Sequence, residues 1–222
     1  MDNRAQQAAG RQEHIAVALA AIAGFVDAYG IVRYGTYLSF MSGNTTQAGY
    51  HSGLGDFAVV PLLLTGIAGF LFGSFIGNFY RPPFGPLTRR VTLVAIAAAL
   101  AFVFGLALAG LSPTILAVAL LSVAMGAMNT SLPSVGKQQV NLTFVTGTLN
   151  RLGTHLAQAA RRAPLSDSEG AWDTHLRRAL WLAGIWAGFF LGAALSGAVT
   201  AHAGPWALLV PIGALLVLSA LD

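Results

Sequence analysis

Residues 91–136 read VTLVAIAAALAFVFGLALAGLSPTILAVALLSVAMGAMNTSLPSVG, 46 consecutive positions without a formal charge. A bilayer core about 30 Å thick takes about 20 apolar residues per helical crossing. The run therefore holds two crossings, with Ser112-Pro113 as the hairpin between them. Working outward, residues 179–221 form a second such run, divided by His202, Gly204 and Pro205. The apolar stretches 15–32 and 57–80 bring the expected number of crossings to six.

Composition agrees. Hydrophobic residues make up 55% of 222, charged residues only 9%, and mean hydropathy is +0.68, which excludes a soluble domain of this length. The net charge of +4 does not point to nucleic acid, because the basic residues sit at the ends of spans, where orientation signals belong. With a cytoplasmic N-terminus (Arg4, Arg11), six crossings put Arg81, Arg89, Arg90, Arg161, Arg162, Arg177 and Arg178 on that same side. Eight crossings would spoil this asymmetry, so segments 36–53 and 140–160 are expected to be re-entrant or broken. The division that follows is a tail at 1–13, one membrane repeat at 14–112 and another at 113–222, with a cytoplasmic loop at 161–176. The first 26 residues mimic a signal peptide, but they run into a motif with an internal counterpart and read as a retained span. With no cysteine there is neither a disulfide framework nor thiolate chemistry.

The counterpart is found by counting. Moving residues 33–51 by 104 places them on 137–155 and aligns Leu38 with Leu142, Phe40 with Phe144, Gly43 with Gly147, Gly49 with Gly153 and His51 with His155. Arg33 then meets Lys137, and Ser42 meets Thr146. Upstream, Gly24-x-x-Asp27 falls on Gly126-x-x-Asn129 at an offset of 102. Downstream, the small-residue seam Gly69, Gly73, Gly77 resembles Gly188, Gly192, Ser196, spacing that lets helices approach closely. Three crossings per repeat make the second repeat enter from the opposite side. That is the inverted arrangement of many secondary transporters, with a site between the repeats near the midplane.

These same residues carry a family resemblance. Gly24-Phe25-Val26-Asp27-Ala28, Phe40-Met41-Ser42-Gly43-Asn44, Met125-Gly126-Ala127-Met128-Asn129 and Val145-Thr146-Gly147 resemble the YoaK-like family of bacterial inner-membrane proteins, a domain of unknown function, over nearly the whole chain. The family pattern has Thr-Gly-Asn where this chain has Ser42-Gly43-Asn44, which keeps the hydroxyl. The resemblance implies six membrane helices and the bacterial plasma membrane; it implies no substrate.

The chemistry must come from the breaks. Ser42-Gly43 and Thr146-Gly147 read as helix starts, a hydroxyl cap followed by a glycine. Half-helices beginning inside the bilayer would turn free N–H groups and the positive end of the backbone dipole toward a small anionic or polar solute. Arg33 and Lys137 add positive charge, or else snorkel to the headgroups. Asn44, Gln47, Asn129 and Asn150 are expected solute ligands, or hydrogen-bonding glue between helices. Asp27 reads as a proton-coupling carboxylate, a counter-ion for Arg33, or an interhelical tie.

Transport or channel function is thus the leading expectation. A non-transporting scaffold is the alternative, with the loop around 161–175 as its soluble surface and homo-oligomerisation open. Enzyme function is not expected, because no Gly-x-Ser-x-Gly or His-Glu-x-x-His is present and carboxylates are scarce. His14, His51, His155, His175 and His202 show no ligand spacing, so neither metal nor cofactor is expected.

Overall fold

The computed structural model describes residues 2–80, 85–111, 113–131, 134–135, 138–139 and 142–221. Arg81, Ser112 and Lys137 lie outside them. The chain is a helical, polytopic membrane protein. Its elements are α1 (Asp2–Tyr34), α2 (Met41–Gly53), α3 (Val60–Phe79), α4 (Gly85–Leu108), α5 (Thr114–Ser131), a two-residue antiparallel pairing of β1 (Ser134–Val135) with β2 (Gln138–Gln139), α6 (Val145–Ala160), α7 (His175–Ala203), a 3-10 turn (Gly204–Leu208) and α8 (Leu209–Leu221).

Five stretches are long and apolar enough to cross a membrane: Gln6–Tyr34, Val60–Phe79, Arg89–Leu108, Thr114–Ser131 and His175–Leu221. The last, at 47 residues, contains the break expected near Gly204, whose φ of +56° ends α7. Residues 2–13 continue the helix of the first span, so α1 runs 33 residues, about 50 Å. The helices within segments 36–53 and 140–160 are short: α2 has 13 residues and α6 has 16, about 20 and 24 Å. Neither length reaches across a core of about 30 Å.

The glycine seams decide which helices meet. A Cβ on Gly69 would lie 2.9 Å from the Ala119 carbonyl oxygen, and one on Gly73 would collide with that of Val123. A Cβ on Gly188 would lie 2.8 Å from the Val17 carbonyl oxygen, and one on Gly192 would collide with that of Ala21. So α3 packs on α5 and α7 on α1, backbone against backbone, in the two most extensive helix pairs of the fold. In each pair the touching positions advance together, so the partners run parallel. Shifting Val17 and Ala21 by 102 gives Ala119 and Val123, and shifting Gly69 and Gly73 by 119 gives Gly188 and Gly192. One packing arrangement therefore occurs twice, and each time it joins the first helix of one half to the glycine-seamed helix of the other.

Helices α4 and α8 close the bundle against each other, with Phe104 edge-on to Trp206 at 5.2 Å. Leu19, Val26, Leu100, Leu121, Met125, Leu208 and Leu215 form the buried centre, while Leu71, Phe72, Phe75, Phe102 and Phe190 face outward, as lipid-facing side chains do. Arg11 donates to the Leu221 carbonyl, and Arg177 donates to Glu13 at 3.1 Å. The starts of α1 and α7 and the end of α8 thus share one end of the molecule.

Candidate functional site

Helix α1 stops at Tyr34 because Gly35 takes φ +70° and its N–H bonds the Ile31 carbonyl at 3.0 Å. The connector then doubles back along α1. Gly30 permits this: a Cβ there would lie 2.6 Å from the Thr36 carbonyl oxygen and 2.7 Å from the Leu38 side chain. The fold-back delivers the connector to Asp27, whose carboxylate accepts from the Leu38 N–H at 2.8 Å, the Ser39 N–H at 2.6 Å and the Ser39 hydroxyl at 2.7 Å. Asn44 clamps the same connector from the other side, accepting from the Thr36 hydroxyl and the Tyr37 N–H, both at 3.1 Å, and donating to the Tyr37 carbonyl at 2.8 Å. Held at both ends, the chain starts α2 at Met41 with Phe40 as cap, at φ −84° and ψ 74°.

The second half repeats this with different chemistry. Asn129 on α5 accepts from the Leu142 N–H at 2.9 Å, and Phe144 caps α6 at φ −94° and ψ 72°. Each cap phenylalanine lays its ring over the glycine three residues on; a Cβ on Gly43 would strike Phe40, and one on Gly147 would strike Phe144. At Asn44's place stands Thr148, which only bonds back to the Phe144 carbonyl at 3.1 Å. Ser122, fully buried and without a hydrogen-bond partner, lies beside Gly66, next to the Asn44 amide; its counterpart at an offset of 102 is Ala20. Among the described residues, Asn44 and Ser122 thus add to the first half polar groups that Thr148 and Ala20 do not match.

The expected site residues fare differently. Ser42 and Thr146 are not caps: neither helix start has a side-chain cap, and both residues are exposed at the second helical position. The first turn of α2 is not rich in free donors either. The Met41 N–H bonds the Ser39 carbonyl at 3.1 Å, while the Gly43 and Asn44 N–H groups bond the Phe40 carbonyl at 3.1 and 3.3 Å. This tightened turn satisfies groups that an anion would need. Asn44 is buried with its amide committed to the connector, and Asn129 ties the second connector. Gln47 is half-buried, Asn150 is exposed, and Gly43 and Gly147 are taken up by the phenylalanine rings. Arg33 is exposed at the end of α1, and among the described residues it makes no ion pair with Asp27. Lys137 lies outside the described residues.

Sequence reasoning missed the clamps and one titratable cluster. Phe40 and Phe144 were visible as an aligned pair, but nothing local showed that their rings cover glycines. Ser122 carries no sequence signal. His155 and His175, twenty positions apart, meet with Nδ1 atoms 2.9 Å apart because the 161–174 loop returns α7 to the end of α6. Beside them Arg178 binds Asp173 at 2.6 Å and Asp167 at 3.0 Å, around a cavity of about 640 Å³. No group of three or more His, Cys, Asp or Glu able to hold a metal occurs among the described residues.

A family model described as protein of unknown function (DUF1275) matches residues 15–221. The chain belongs to the DUF1275 family. This is the YoaK-like family that the motifs around Asp27, Gly43, Asn129 and Gly147 resemble. The chain is also 35% identical over 208 residues to a UPF0700 transmembrane protein of Rhizobium meliloti (strain 1021), covering 93% of this chain and 84% of that protein. No solved structure matches. DUF1275 membership thus extends over α2 and α6 and over both connector ties.

Proposed function

We propose that this DUF1275 protein is a secondary transporter or channel for a small polar solute, built from two inverted repeats and working in the bacterial inner membrane with both termini in the cytoplasm. The observation that carries the reading is the pair of short helices, α2 and α6, that start at near-identical phenylalanine caps and cannot cross a bilayer. The contact of Arg11 with Leu221 fits an even number of crossings, and the break at Gly204 divides His175–Leu221 into α7 and a return leg, the 3-10 turn plus α8, which has as many residues as α5, for six in all. The parallel pairing of α1 with α7 and α3 with α5 fits a half-turn relation about an axis in the membrane plane. On this reading the boundary between repeats falls at 112/113.

The solute meets the exposed hydroxyls of Ser42 and Thr146 and the side chains of Gln47 and Asn150. A neutral or zwitterionic polar solute is preferred to a bare anion, because three N–H groups of the first turn of α2 are already bonded. Asp27 acts through position. Asn129 ties its connector without a charge, so the charge of Asp27 is surplus to the tie and is the group to couple to protons. Protonation of Oδ2 leaves Oδ1 to hold the two N–H groups and makes the bond with the Ser39 hydroxyl reverse or break, which links proton uptake to that one contact at the seat of α2.

Flux into proteoliposomes, measured over a panel of small solutes with and without a pH gradient, tests the activity. Uptake of one solute class that loses its pH dependence in Asp27→Asn is expected; no flux for any solute leaves the scaffold reading. Because the chain has no cysteine, single-cysteine labelling tests the inversion directly. His51→Cys and His155→Cys should label from opposite faces of sealed vesicles, and labelling from one face overturns inversion.

A further inference from the structure

A second groove, of about 620 Å³, opens between the starts of α1 and α7, away from both half-helices. Its wall is apolar, built from Val17, Ala21, Leu180 and Gly184, and its rim is charged, with Glu13 and Arg177. At the rim the Arg177 guanidinium lies 4.4 Å over the Trp172 ring and donates one nitrogen to Glu13 at 3.1 Å. Its other terminal nitrogen, Nη1, is buried with no hydrogen-bond partner among the described residues. The same holds for the indole N–H of Trp181, a lining residue that is 8% exposed. Two buried donors therefore lack an acceptor, which is costly to a fold unless something supplies one.

The shape of the groove says what does. Donors and charge lie at the level where the apolar spans begin, next to Trp172 and Trp181, the residue type of the membrane interface. From there the groove continues along helix faces that carry only apolar side chains toward Gly188 and Leu191. A free phosphate would satisfy the donors and leave the wall bare; a phospholipid satisfies both. Glu13 selects among headgroups, since it repels a purely anionic one and attracts an ammonium. We propose that this groove binds one ethanolamine-type phospholipid from the leaflet on the N-terminal side, its phosphate on Arg177 Nη1 and Trp181 Nε1, its ammonium against Glu13 and one acyl chain laid along the outside of the α1–α7 seam.

The test is native mass spectrometry of the full chain extracted from vesicles made of equal parts phosphatidylethanolamine and phosphatidylglycerol. One retained lipid per chain is expected, with ethanolamine over glycerol headgroups by about fivefold, the size of one partly exposed ion pair. Glu13→Gln should keep the lipid and bring that ratio close to one. Gly184→Leu should fill the groove and lower retention about tenfold, its Cβ meeting the Val17 side chain at an ordinary contact distance of 3.4 Å, and an unchanged unfolding midpoint checks that the helix pair keeps its packing. Trp181→Phe, which removes the N–H together with part of the ring, should lower retention as well. Retained lipid that mirrors the vesicle composition in the wild type, or Gly184→Leu and Trp181→Phe that retain as much as the wild type, overturns the proposal.

Discussion

Ser39 donates to Asp27 twice, from its N–H at 2.6 Å and its hydroxyl at 2.7 Å, in a site where Asp27 is only 4% exposed. Together with the Leu38 N–H this gives the carboxylate three donors and makes it the anchor of the α2 connector. Asp27→Ala should cost about 2–5 kcal/mol, since it leaves buried donors unpaired. Asp27→Asn should cost less than half of that, because an amide oxygen does the same work at Asn129. Thermal melts in detergent compare the two, and equal losses would mean that the position needs charge, not merely an acceptor.

Glycines on and off the seams predict opposite signs for one substitution. At Gly197, where a Cβ meets nothing within 4 Å, Gly→Ala should stabilise by up to about 1 kcal/mol through helix propensity. At Gly192 and Gly73 the same change collides with the carbonyls of Ala21 and Val123, and a backbone cannot swing aside as a side chain can. Loss of about 1–3 kcal/mol is expected at each, read as a drop in unfolding midpoint. A neutral Gly192→Ala would show that α1 and α7 do not pack this closely.

Arg178 and Asp173, each 8% exposed, hold the 161–174 loop on α7. Removing one partner strands the other, so Arg178→Met should cost about 3–5 kcal/mol. Arg178→Met combined with Asp173→Leu should recover much of that loss. A double mutant as unstable as the sum of the singles would rule out the ion pair as the cause.

The contact of α6 with α7 should loosen in mild acid. Burial, then the nearby His175 and Arg178, holds His155 below its ordinary 6.5, so the docked form is the neutral one. Its contribution is complete above 6.5 and is lost as pH falls from there through the depressed value. The carboxylates act lower. The Arg178 hydrogen bond brings Asp167 below its usual 3.8, and at Asp173 burial raises the pKa but the Arg178 bonds outweigh it. Their contributions persist until pH falls below 3.8. Amide exchange across residues 145–160 should therefore quicken between about pH 7.5 and about pH 5.5 in the wild type, beyond the intrinsic pH effect, and not in His155→Gln. The same pH response in both proteins would remove His155 from the account.

Much of this was legible in the chain itself, for a reason specific to membranes. With no water to pair the backbone, each crossing must be one helix of about 20 apolar residues, so uncharged runs translate directly into spans. The 104-residue correspondence located the starts of both short helices, α2 and α6, to within a residue or two, because glycine and phenylalanine recur there. The seams at Gly69 and Gly188 were readable too, since only a missing side chain lets backbones touch.

What the tertiary structure alone decided is which polar groups are still free to act. Asn44 and Ser42 look alike in the sequence as polar residues at a break, yet a fold-back of six residues, Gly35 to Phe40, buries the first and exposes the second. The pairings of α1 with α7, Asp27 with Ser39 and His155 with His175 join positions that no periodicity links. Hydrophobic pattern is a property of each segment. The satisfaction of a buried hydrogen bond depends on what the rest of the chain brings to it.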